Sequence, residues 1–163
     1  MNGAHLHLIA NHLPIVGVII GTLVMVVGLI LKKDQIKQTA LGINLFSAIT
    51  ALFAFFTGEE AEEVVEDIPG ISETLIHIHE EYAEIFFNLS ILIGVISIVA
   101  LYLSIKGSKY AKYGFVLCLA LSIALIVIGK QVGTSGGEIR HTEIRSENIS
   151  SPSIDIHAND DDE

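Results

Sequence analysis

The chain contains no tryptophan and only one cysteine, Cys118, so no intrachain disulfide can brace it and its thiols say nothing of a redox compartment. Cations are scarce: nine Lys and Arg stand against nineteen Asp and Glu, and the net charge of −10 argues against a nucleic-acid partner. There is no nucleophile–base arrangement, phosphate loop or nucleotide fingerprint, which excludes classical hydrolase and transferase chemistry. No Lys or Arg precedes Leu13, so the first apolar stretch does not read as a cleavable signal and is expected to be an uncleaved anchor. Charge is also missing from the middle of every long apolar run, so an ion path would need a homo-oligomer to create it.

What is present in excess is apolar sequence, 51% of 163 residues, gathered into four runs. Leu13–Leu31, Thr39–Phe56, Ile85–Ile105 and Tyr113–Gly129 are nineteen, eighteen, twenty-one and seventeen residues without a charge. A bilayer core of about 30 Å needs about 20 helical residues, with ~17–25 the usual range, so each run is long enough to cross. A soluble bundle is the alternative, but four such runs leave it too little polar surface. The expected fold is all-α, an integral membrane four-helix bundle spanning 1–145, followed by an acidic disordered tail at 146–163.

Six lysines set the expected orientation. Lys32, Lys33 and Lys37 follow the first run, and Lys106, Lys109 and Lys112 follow the third, which places both connections in the cytoplasm. Both termini then lie outside. So does the hairpin Thr57–Glu84, which carries ten carboxylates and two histidines between the second and third runs. Pro69-Gly70 sits at its centre, so helices 2 and 3 are expected to extend into an outer acidic hairpin. On one arm Glu59, Glu62, Glu63 and Glu66 share a helical face; on the other His77, Glu81, Glu84 and Asn88 do. Folding about the turn pairs Glu62 and Glu63 with His77, and Glu59 with Glu80 and Glu81. Protons, a cation or separation into water must relieve that crowding. All seven histidines fall on the same outer side, and that bias is harder to explain by charge because they are neutral near pH 7.

Several positions mark candidate chemistry. His5, His7 and His12 precede or open the first helix, and Pro14 is tolerated there as a first-turn residue. Gly17, Gly21 and Gly28 permit close helix approach or room for a flat cofactor. Asn44, Ser47 and Thr50 form a stripe expected to hydrogen-bond between helices. Glu84 near the outer end of the third run is either a functional ionisable group or one snorkelling to the interface. His79 points away from the His77 face toward Ala83, Phe86 and Ser90, a packed environment of the kind a haem ligand needs, whereas His77 suits a carboxylate-rich metal site. After the fourth run, Gly133, Gly136 and Gly137 read as a flexible turn. Glu138 and His141 have the E-x-x-H spacing of metal-binding bundles. Arg140 and Arg145 offer a plainer role, neutralising the hairpin.

The opening H-L-I-A-N-H-L-P-I, His7 to Ile15, resembles the H-P-x-x-x-H-F-P-I opening of a family of small bacterial four-helix membrane proteins of unknown function. Leu8 and Leu13 replace the family's Pro and Phe. The resemblance implies that Gly58 closes the second helix and that His79 or His77 opens the third. It also implies a multi-pass protein of the bacterial cytoplasmic membrane near respiratory or cytochrome-type partners. Three functions follow as expectations. One is a redox protein with haem b held by His12, His79 and His141. Another is an Fe, Mn or Zn site built from His77, His141, Glu59, Glu62, Glu63, Glu81, Glu84 and Glu138. The last is a structural subunit whose acidic face docks a basic partner such as a c-type cytochrome.

Overall fold

The computed structural model describes residues 2–66 and 68–145, and in them the chain is entirely helical. The tail expected from Ser146 onward lies outside the described residues. Helices α1 (Gly3–Ala10) and α2 (His12–Ile30) are followed by α3 (Asp34–Val65), α4 (Glu73–Ile105) and α5 (Ala111–Arg140), with a 3-10 turn at Thr142–Ile144. Four helical stretches, with α1 and α2 taken together, are long and apolar enough to cross a membrane. Large apolar side chains such as Leu23, Phe46, Ile98 and Val116 face outward all along them. In water such a surface would be a liability, whereas against lipid it is the expected finish.

The four-run pattern is therefore reproduced, with one element it did not contain. The helix α1 is separate from α2 because Pro14 has no N–H for the Ala10 carbonyl and its ring crowds that carbonyl. The helical run is interrupted one turn upstream, at Asn11. Gly133, Gly136 and Gly137, expected in a flexible turn, are instead helical and lengthen α5. Tertiary packing overrides their poor helix propensity there.

The bundle packs through small residues. A side chain at Gly17 would strike Ser47 and one at Gly21 would strike Asn44, so α2 and α3 approach backbone to backbone. Gly94 meets Ala48, and Gly114 meets Ala100. Around these contacts Met25, Leu41, Ile93, Cys118 and Leu125 are fully buried. The expected interhelical stripe differs from what forms. Ser47 donates to Ile43 O at 3.0 Å and Thr50 to Phe46 O at 3.0 Å, both within α3. Hydroxyls buried away from water satisfy themselves on the carbonyl one turn back.

The pairings define two ends. One holds Lys32, Lys33, Lys37, Lys106, Lys109 and Lys112, the other holds His5, His7, His12, His77, His79 and His141. At ~1.5 Å per residue, α3 and α4 are roughly 50 Å long, well beyond a ~30 Å apolar core. Counted from the lysine end, their surplus, 57–65 and 73–84, lies at the histidine end beyond the charge-free runs. Ile68–Ile71 joins them in a type II turn: Ile71 donates to Ile68 O at 3.2 Å and Gly70 has φ 87°.

Candidate functional site

The histidine end has an interior and a rim. In the interior stand His7 of α1 and His79 of α4, both half-buried, His7 level with the end of the second charge-free run and His79 beyond the third. His7 Nδ1 lies 3.0 Å from Ala54 O. A carbonyl only accepts, so Nδ1 carries the hydrogen and Nε2 keeps a lone pair. His79 Nδ1 lies 3.1 Å from Ser135 Oγ, and Ser135 Oγ donates its own hydrogen to Val132 O at 3.2 Å. The hydroxyl is thereby left as acceptor, and His79 too is protonated on Nδ1 with Nε2 free.

Glycines make room for both rings. A Cβ at Gly58 would stand 3.4 Å from His7 Cε1, and one at Gly136 would stand 3.0 Å from His79 Cε1. Burial pushes the His79 imidazole below its ordinary pKa. Two half-buried imidazoles thus stand at one end of the bundle, each with Nδ1–H tied to a neighbouring helix. One turn after His7, Asn11 Oδ1 is buried with no hydrogen-bond partner. A buried acceptor of that kind is costly unless something meets it.

The rim is carboxylate. Glu62 of α3 and Glu80 of α4 stand together across the two helices, and sharing a proton with that second acid pushes Glu62 up to about 7. Glu80 is held below the usual carboxylate range, first by Glu62 and then by His77. His77 Nδ1 bonds Glu80 Oε2 at 3.0 Å, and that carboxylate raises the imidazole pKa. The expected pairing of Glu62 with His77 is thus mediated by Glu80, one helical turn from the symmetric fold-back. Glu59, Glu63, Glu81 and Glu84 are exposed.

His12 is exposed, on the far side of the Asn11 break from His7. His141 is exposed as well and bonds Glu143 Oε1 at 2.9 Å. Its spacing from Glu138 does not place both on one helical face, because α5 ends at Arg140 and His141 is extended, with φ −103° and ψ 95°. Arg145 does not reach the acidic rim. Its Nε and Nη2 donate to Glu138 O and Ile139 O at 2.8 and 2.9 Å, closing the C-terminus of α5. Among the described residues no three His, Cys, Asp or Glu side chains come together as a metal ion would require. The first segment supplies His7 to this interior, while His12, beside Pro14, faces outward. Gly58 and His79 were marked in the sequence, and both border this interior.

Compared with protein-family models, curated proteins and solved structures, the chain matches none. Fold and composition define its class: an all-helical bundle with four helices able to span a membrane.

Proposed function

We propose that this chain is a multi-pass protein of the bacterial cytoplasmic membrane with a redox or redox-support role, holding haem b at its histidine end. In this reading both termini and the acidic arms lie outside, as the lysine distribution directs. One observation carries the proposal: His7 and His79 are both half-buried and both tied through Nδ1–H to an acceptor on a neighbouring helix, which leaves Nε2 of each as the ligating nitrogen. Ligating histidines have that arrangement, the second nitrogen bonded to a carbonyl or other acceptor that fixes tautomer and ring angle.

The donor set fits haem better than a bare ion. A structural or catalytic transition metal takes three or four protein ligands, whereas a haem iron needs only one or two. His7 and His79 would hold the iron, and the group would supply one-electron transfer. Ala54 O and Ser135 Oγ orient the two rings, and Gly58 and Gly136, having no side chain, let the rings pack against α3 and α5. The exposed acids of the arms supply a negative field that steers a basic partner such as a c-type cytochrome.

An absorption spectrum of the detergent-purified protein, with metal analysis of the same sample, tests this. A reducible Soret band is expected, lost in His7→Ala and in His79→Ala and kept in His12→Ala. Stoichiometric iron, manganese or zinc without that band would instead support a His/Glu metal site. With neither, the acidic arms become the function, and the chain is a docking subunit.

A further inference from the structure

The lysine end carries a feature that the histidine site does not use. Between α4 and α5 an apolar groove of about 430 Å³ opens on the outer surface of the bundle. Val95, Val99, Leu103, Tyr110, Tyr113 and Gly114 line it. It follows α4 for about two turns, ~12 Å, from the connection toward the middle of the span. Gly114 contributes no side chain to its wall, and Ala100 packs directly beneath.

The mouth is cationic. Tyr110 and Tyr113, two residues of the wall, each carry an ammonium above the ring: Lys109 Nζ at 5.4 Å and Lys112 Nζ at 5.0 Å from the centroids. Lys106 sits similarly at 5.8 Å from Tyr102. Among the described residues none of these three lysines meets a carboxylate; the ammonium–carboxylate pair at this end is Lys37 with Asp34. Tyrosines of this kind sit at headgroup depth, and lysines beside them project into the headgroup layer. An apolar channel thus leads from the hydrocarbon to a cluster of uncompensated positive charge.

The geometry points to a binding site for one anionic phospholipid, its acyl chain along the α4–α5 groove and its phosphate among Lys106, Lys109 and Lys112. Basic sites between spanning helices hold anionic headgroups in this way. A second copy of the chain is the poorer occupant, because it would bring the same lysines against these.

Native mass spectrometry of the full chain, released from micelles holding equal phosphatidylglycerol and phosphatidylcholine, tests the site. Wild type should retain phosphatidylglycerol over phosphatidylcholine by roughly tenfold. Lys109→Gln with Lys112→Gln should erase that preference while leaving the apolar spans untouched. Val99→Trp fills the groove with the lysines intact, and it should abolish retention of phosphatidylglycerol. Equal retention of the two lipids by wild type would overturn the site. So would an unchanged preference in the lysine variant, undiminished retention in Val99→Trp, or a second chain cross-linked into the groove in place of lipid.

Discussion

At the lysine end the connections are short and the helix termini are closed by backbone bonds, with one side-chain bond crossing between helices, from Gln38 Nε2 to Ser104 Oγ at 2.9 Å. After α2, Lys33 N–H bonds Gly28 O at 3.1 Å and Lys32 N–H bonds Leu29 O at 3.3 Å; after α4, Ser108 bonds Leu103 O at 2.9 Å and Gly107 bonds Ser104 O at 3.0 Å. Both are the same left-handed helix terminus, built on Lys32 with φ 53° in one case and Gly107 with φ 66° in the other. At the histidine end the helices outrun the apolar runs, and the contacts are made by side chains: imidazole to carbonyl, imidazole to hydroxyl, acid to acid. A membrane span needs only length and apolarity. Half-buried imidazoles tied by hydrogen bonds to neighbouring helices need a reason beyond spanning, and among the described residues the histidine end has them.

The largest test of this contrast is all-or-none. In an otherwise wild-type chain, where Cys118 is buried and silent, Lys109→Cys should label only from the cytoplasm and Glu63→Cys only from outside. The opposite labelling would exchange the two compartments and remove the proposed site from the outer face.

Next in size is the support of the ligand ring. Ser135→Ala deletes the acceptor for His79 Nδ1–H and should weaken cofactor retention by about 10–100-fold, read by titrating apo-protein. Retention equal to wild type would mean that the ring is placed by packing alone.

A smaller effect is expected from pH. The joined arms bind the Glu62 proton more tightly than separated arms do, so its contribution is complete at acid pH and is lost as pH rises through about 7. Glu80, held low, contributes in the opposite sense and is lost toward acid. The pair is strongest with one proton between them. Spin labels at Val64→Cys and Thr74→Cys should move apart between pH 6 and 8, and Glu62→Gln should remove that change. A separation that ignores pH in both proteins would detach the acid pair from arm geometry.

The smallest concerns Lys32. A side chain in the left-handed region costs roughly 1–2 kcal/mol, partly offset by the lower chain entropy of the unfolded state. Lys32→Gly should stabilise the bundle by about 1 kcal/mol in a denaturant titration, bringing the first connection level with the second.

The spans were legible because charge-free length is a property of composition, visible without knowing any contact. The end of α5 was not, since glycines at 133, 136 and 137 read as a turn until His79 is seen occupying the space beside Gly136. His79 could be assigned to a packed face because α4 is regular through it, and period 3.6 holds there. His12 draws attention by its place beside Pro14 rather than by its face. Asn11 keeps helical dihedrals, φ −59° and ψ −27°, and the buried positions Gly3, Ala10, Pro14, Gly17 and Gly21 run through it at helical spacing, so His7 shares their face and His12 does not. The rim showed the same limit: long acidic side chains meet one turn from the pairing that a symmetric fold-back dictates. Spacing fixes a face, but not which rung of the facing helix it meets.

The break at Asn11 also sets what α1 depends on. A helix of eight residues is too short to persist by itself in water, so α1 depends on the contacts it makes with α3, Gly3 against Glu60 and His7 against Ala54. The segment that carries His7 is thus held as a docked arm: loosening the Gly3 or His7 contact frees it while α2 to α5 remain packed on one another.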